Sequence, residues 1–383
     1  MFRDLFSMVR QQGPLPWDAA KQFALSIATD GKAEGNVDPI ERIKIEQLAR
    51  VAELKVADVT GLPVAPGGRG ITLVPCNRST WVQRSMDDYR DYFSLMADSL
   101  SGAAASPAEN AGTPDPDDPF AWMAPMMNAL GPMMLSLTAG SMVGHLARRA
   151  LGAYDLPIPR PPTDELPIVV TNLVEFGEQW SLPDDDLHLW VCLHEIAHHT
   201  VLGIPHVRER LDTLLRTYLS SFDSAGGDLG ERLAQLDVGD PGGMLSVEKL
   251  FADPQVLLGA IQSRTQVELG PQIEALVTTI VGYVDHVLDE CGSGLIGSYS
   301  MVTEALRRRR VEASSADHFV EQLFGLNLTR KHYDRGLAFV KGIVDRAGKP
   351  GLERLWRSER ELPTPSEIDA PGLWLARIDL PNS

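Results

Sequence analysis

The sequence is short of cysteine, of positive charge and of uninterrupted apolar runs. Its three cysteines, Cys76, Cys192 and Cys291, lie far apart and are odd in number. Neither a disulfide framework nor a C-x-x-C metal knuckle can be built from them, which fits a reducing compartment. Basic residues are outnumbered, 35 Lys and Arg against 52 Asp and Glu, for a formal charge of −17. That imbalance argues against a nucleic-acid or anionic-membrane partner, since both need a basic surface, and it suits a basic or cationic substrate. The opening stretch, MFRDLFSMVRQQ, carries charge in its first turn and has no apolar segment before a small-residue cleavage site. No signal peptide is expected, and the setting reads as cytoplasmic. Residues 122–147, WMAPMMNALGPMMLSLTAGSMVGHLA, are free of formal charge and carry a G-x-x-x-G pair at Gly140 and Gly144. Gly131-Pro132 interrupts them, however, and Asn128, Ser136, Thr138 and Ser141 dilute their hydrophobicity. They read as a short helix, a break and a second buried helix with a small face, not as a membrane span.

What is present is an ordinary globular composition, 44% apolar and 23% charged over 383 residues, long enough for a sizeable core. The chain is expected to be mainly α with a few short strands, and to form a single domain over 1–383. Helical spacing of apolar residues predicts helices from Trp17 to about Ile27, from Pro39 to Val59, and from Thr80 to about Leu100. ITLVPC (71–76) and LPIVV (166–170) predict strands. The small, Pro-rich, acidic stretch 101–119 predicts a flexible segment, and SAGGDLG (224–230) a second interruption. PGGRGIT holds Gly67, Gly68 and Gly70 but no Lys-Ser/Thr follows, so it predicts a plain turn.

Four of the nine histidines fall within LWVCLHEIAHHTVLGIPH, residues 189–206. Ser181 with Asp184 predicts a capped start, Asp184, Asp185 and Asp186 suit the positive end of a helix dipole, and Gly203 with Pro205 ends the helix after Leu202. Trp190, His194, Ala197, His198 and Val201 then share one face. His194 and His198, one turn apart, can aim both imidazoles at one Zn²⁺ ion. Glu195 lies about 100° round the helix, where it can take a proton from metal-bound water. His199 points off the stripe and is expected at the surface. Gly203 and His206 form a G-x-x-H that lies two residues too far along for the three-histidine spacing, so His206 is a weak third ligand. The other known solution draws an acidic ligand from a later helix. Here that is QIEALVTTIVGYVDHVLDE (272–290), with Asp285, Asp289 and Glu290.

The chain resembles an actinobacterial family of zincin-like, zinc-dependent metalloproteases, some members of which are labelled hydrolases or deazaflavin-biosynthesis-associated. The likeness runs through GPLPWDAAKQFA, NRSTWVQRSMDDY, MLSLTAGSMVGHLARRALG, VVTNLVEFGEQWSLPDDDLHLWVCLHEIAHH, GYVDHVLD and ELPTPSEIDAPGLW. It implies a zincin-like helical domain, Zn²⁺ as cofactor, His194 and His198 as ligands and Glu195 as general base. In several relatives the later helix reads E-G-x-x-D, with the Glu as third ligand. Here the same place reads Val281-Gly282-Tyr283-Val284-Asp285, and a valine cannot coordinate. Asp285, one turn on and nearly on the same face, either replaces that ligand or orients a histidine while water completes the shell. His286 projects away.

Two functions follow from this pattern. One is a zinc metallopeptidase in which Glu195 activates the water and the LPIVV strand flanks an extended peptide or protein substrate. The other is a catalytically degenerate zincin that serves as a binding or scaffold protein.

Overall fold

The computed structural model describes residues 16–65, 70–105, 123–222, 262–311, 320–326 and 328–380. In chain order the main elements are α1 (Trp17–Thr29), α2 (Pro39–Thr60), β1 (Thr72–Cys76), α3 (Arg78–Asp88), α4 (Arg90–Ala105), α5 (Met123–Arg149), β2 (Glu165–Val169) and α6 (Val170–Trp180). They continue with α7 (Asp184–Leu202), α8 (Pro205–Leu219), α9 (Arg264–Gly292), α10 (Tyr299–Val311), α11 (Arg330–Glu353) and α12 (Pro371–Asp379). The fold is mainly helical, as the spacing of apolar residues predicts. β1 and β2 pair in parallel from Thr72 with Glu165 to Cys76 with Val169. One cluster of buried apolar side chains extends from Trp17 to Ile378.

Local chemistry accounts for several boundaries. Asp38 accepts the Ile40 N–H at the start of α2, and Gly61 closes that helix in the left-handed conformation, where glycine carries no Cβ penalty. Asn77 caps α3 through the Thr80 N–H. Ser263 and Gln266 form a reciprocal capping box on α9, which therefore begins eight residues earlier than the 272–290 stretch suggests.

The structure departs from the sequence reading in several places. The run from Thr80 to Leu100 is two helices that meet at Tyr89, whose ψ of 2° leaves the helical region. The bend lets the Tyr89 hydroxyl accept from Arg160 at 2.8 Å. α5 runs through Gly131-Pro132 instead of breaking there. A proline inside a helix removes one hydrogen bond but need not end it, and α9 likewise continues through Pro271. The Gly140/Gly144 face does take a close neighbour. A Cβ on Gly140 would stand 2.4 Å from the Ala20 carbonyl oxygen of α1. Of the stretch expected to be flexible, residues 101–105 belong to α4, and 106–119 lie outside the described residues, as does 224–230. Among the described residues no helix is long and apolar enough to cross a membrane.

α7 lies deep in the packing. From Leu187 to Leu202 every residue except His194 is buried, and burying each of Leu193, Ile196 and Val201 contributes about 1.5–3 kcal/mol. α2 and α9 pack against it. α9 in turn crosses α11 at backbone contact, since a Cβ on Gly282 would lie 2.1 Å from the Gly336 carbonyl carbon. These crossings set α7 and α9 side by side, with the histidines of one facing the Asp285 turn of the other.

Candidate metal centre

α7 begins after Pro183, without a side-chain cap. Ser181 does not start the helix; it closes α6 in the left-handed conformation, φ 51°. Longer-range contacts replace the expected capping box. Lys44 of α2 pairs with Asp184 and Asp185, and Asp186 accepts the Ser298 N–H and hydroxyl at 2.8 and 2.6 Å ahead of α10. At the other end the Gly203 N–H reaches the His199 carbonyl, and Pro205 opens α8, as the Gly-x-Pro signal predicts.

The two motif histidines come together. Their ring centroids are 4.3 Å apart. His194 stacks on Trp190 at 5.1 Å, and His198 on Tyr154 at 5.9 Å. His198 Nδ1 lies 3.0 Å from the His194 carbonyl oxygen. A carbonyl can only accept, so Nδ1 carries the proton and Nε2 keeps its lone pair, the tautomer a metal requires. His194 Nδ1 contacts Glu195 Oε1 at 3.0 Å. Burial, with the positive charge of Arg310 adding to it, pushes the His194 pKa down to about 4. Burial and the neighbouring His194 hold His198 well below its usual value. Both rings are therefore neutral at physiological pH, as ligation demands.

Glu195 is fully buried. Its Oε2 accepts the N–H groups of Ala153 at 2.6 Å and Tyr154 at 3.0 Å. Burial is the main cause that pushes its pKa up to about 8; Asp155 adds to the rise, and the two N–H donors oppose it. The partners belong to a buried loop, residues 150–160, whose own polar groups are met by side chains. Trp81 Nε1 donates to the Gly152 carbonyl, Arg160 Nε to that of Ala153, and Asp155 accepts from Leu151 and Gly152. Such pairing is what makes a buried loop tolerable. Only glycine fits at 152, where a Cβ would stand 2.3 Å from Glu195 Cδ.

The same loop overturns the expectation for His199. It is buried, not at the surface, because Tyr154 covers it and its hydroxyl meets Nδ1 at 3.0 Å.

A cavity of about 50 Å³ opens between α7, α9 and α10, lined by His194, His198, Val281 and Asp285 among others. Three or four waters, or an ion with water, fill such a volume. Asp285 thus stands where the later helix was expected to place it, but both its oxygens lie 3.3 Å from Arg310 Nη1. Among the described residues no three His, Cys, Asp or Glu groups converge as a ready metal site. The two imidazoles fit a zinc ion; the third donor is on the wall and turned to an arginine. His206, on the first turn of α8, does not line the cavity, nor do His286, Glu195 or any residue of β2. The LPIVV strand therefore does not flank the cavity.

Lining residues that the sequence reading left unmarked include Arg149, Asp155, Arg309, Arg310, Glu321 and Tyr333. The RRRR run at 307–310, in a chain of net charge −17, is the signal that could have drawn attention to two of them.

The sequence profile of the zincin-like metallopeptidases matches residues 15–375. The chain belongs to the zincin-like metallopeptidase family. A crystal structure of a candidate hydrolase with a novel fold, from Chloroflexus aurantiacus, superposes on this zincin-like chain with a TM-score of 0.66. The two are 22% identical, over 96% of this chain and 100% of that one, a likeness of fold. No curated protein matches this zincin-like chain in sequence.

Proposed function

We propose that the protein is a zinc-dependent hydrolase of an amide or peptide bond, with His194 and His198 as ligands, Asp285 as third protein ligand and Glu195 as general base. One observation carries the reading. Two neutral imidazoles, one helical turn apart, His198 buried and His194 nearly so, have their Nδ1 atoms engaged on the wall of a cavity that Asp285 shares. Zinc, when bound, supplies a Lewis acid that acidifies water and polarises a carbonyl. The chain's own residues do the rest. Trp190 and Tyr154 hold the rings by stacking, and the apolar packing of α7 keeps bulk water out. Glu195, its pKa raised by burial to about 8, would be brought down by the charge of a divalent ion on the histidines toward the range of a general base. Family membership supports a peptide or protein substrate, and three buried, unpaired cysteines support a cytoplasmic setting.

One observation favours the second reading, a degenerate zincin that binds a partner. The Glu195 carboxylate is tied to two backbone N–H groups and does not line the cavity. Elemental analysis and turnover of a peptide library separate the two. Wild type should carry about one zinc, His194→Ala none, and Asp285→Ala should bind it at least ~10–100-fold more weakly, with His206→Ala nearly unchanged. Glu195→Gln should keep zinc while turnover falls by roughly 10²–10⁴-fold. Wild type that holds zinc yet turns over nothing, like the Gln variant, decides for the scaffold.

A further inference from the structure

The wall facing the histidines is built from charge. α10 brings Arg309 and Arg310 to the cavity, and Arg149 joins them from the end of α5; Asp155, Asp285 and Glu321 stand against these three. With the histidines neutral, the lining is balanced at formal charge. A divalent ion on the histidines leaves it positive by two, in an enclosed site where unbalanced charge is costly.

Arg310 shows where the balancing anion would sit. Both of its contacts to Asp285 are made by Nη1. Its Nη2 and Nε donate to nothing among the described residues, and the side chain is 20% exposed. The guanidinium lies 4.2 Å over the Tyr333 ring, which fixes the plane of the fork. Arg309, in contrast, is spent on the Arg149 carbonyl and on Asp155. A planar guanidinium with two free donor nitrogens, held flat on the wall of a cavity of about 50 Å³, matches a planar anion of carboxylate size. The volume admits the end of a chain or a short side chain, not the middle of an extended peptide.

We propose that Arg310 receives a carboxylate of the substrate, so that the amide bonds presented to the histidines belong to acidic or carboxy-terminal residues. This rests on the metal-centre reading above and gives it a substrate class. It also reverses the expectation of a cationic substrate: the −17 charge is a property of the whole chain, whereas the cavity with its ion is positive.

Titration calorimetry with three probes tests it: N-acetyl-Ala-Ala, its carboxy-terminal amide, and N-acetyl-Ala-Glu amide. Zinc content is measured in every sample. Zinc-loaded wild type should bind at least one acid ten- to hundredfold more tightly than the neutral amide, as a charge-assisted bidentate contact predicts. Whichever acid binds better names the source of the carboxylate. The preference should shrink in zinc-free protein, fall to near parity in Arg310→Gln, and be intermediate in Arg310→Lys, which keeps the charge but not the fork. Should Arg310→Gln not fold, the Lys variant alone decides. Zinc-loaded wild type with no preference for either acid, or a preference that both variants keep in full, overturns the inference and leaves the metal centre standing. Protein that takes up no zinc overturns the metal reading and this inference with it.

Discussion

The two walls of the cavity are held by different means. On the histidine wall the contacts end on backbone: His198 meets the His194 carbonyl, and His194 meets Glu195, which is itself held by the N–H groups of Ala153 and Tyr154. On the facing wall they are ion pairs between side chains of separate segments, Asp285 with Arg310 across 25 residues and Arg309 with Asp155 across 154. Backbone partners cannot leave without opening the loop. An ion pair can trade one partner for another of like charge at modest cost. The histidine wall is thus preorganised, and the charged wall is the one able to rearrange around an incoming ion or anion.

The largest expected effect breaks the preorganised wall by protonating it. His194 has a folded pKa of about 4 against an ordinary 6.5, so its contribution is complete above 6.5 and is lost as pH falls through 4. At pH 5 it should cost zinc-free protein about 2 kcal/mol, and His198, shifted the same way, adds to this. Glu195, raised from 4.5 to about 8, has the opposite sign. Its contribution is present below 4.5 and is lost as pH rises through 8. The net stability in chelator, followed by urea unfolding across pH, should peak near pH 6.5 and fall on both sides. Glu195→Gln should flatten the alkaline side and steepen the acid side, because the carboxyl titrates from 4.5 upward. An alkaline limb that survives the substitution would show that Glu195 is not the group that titrates.

The next effect is steric and confined to the same wall. Gly152→Ala drives a methyl to 2.3 Å from the Glu195 carboxyl carbon, and the loop or the glutamate must shift, at about 2–3 kcal/mol by urea unfolding. Gly177→Ala is the control. It lies inside α6 with its nearest neighbour at 3.5 Å, and should gain up to ~1 kcal/mol in helix propensity. Equal losses at both sites would mean that the Glu195 pocket is not tight.

The contrast between the walls also explains what the sequence discloses. The periodicity of Trp190, His194, His198 and Val201 gives α7 and its ligand pair, because a helix states its faces locally. Asp285 is identifiable only beside a family pattern, since nothing within α9 marks it from Asp289. The Ser181 cap fails because α7 takes its N-terminal partners from Lys44 and Ser298, more than a hundred residues away in sequence. His199 is misplaced for the same reason, its cover being Tyr154 in a loop that carries no periodicity at all. The RRRR run is plain to see, but which of its members face the cavity depends on how α10 lies across α7.

The smallest effect isolates that cover. Burial pushes the Tyr154 hydroxyl pKa up, so it stays protonated and hydrogen-bonded to His199 Nδ1 at 3.0 Å. Tyr154→Phe keeps the ring, and with it the stack on His198, interplanar angle 14°, but leaves Nδ1 of a buried histidine without its partner. That should cost about 1–2 kcal/mol. Zinc affinity, measured against a competing chelator, should hardly change, because the hydroxyl serves His199 and only the ring touches the ligand. A zinc affinity that falls in step with stability would instead make Tyr154 part of the centre and join the His199 side of α7 to the metal wall.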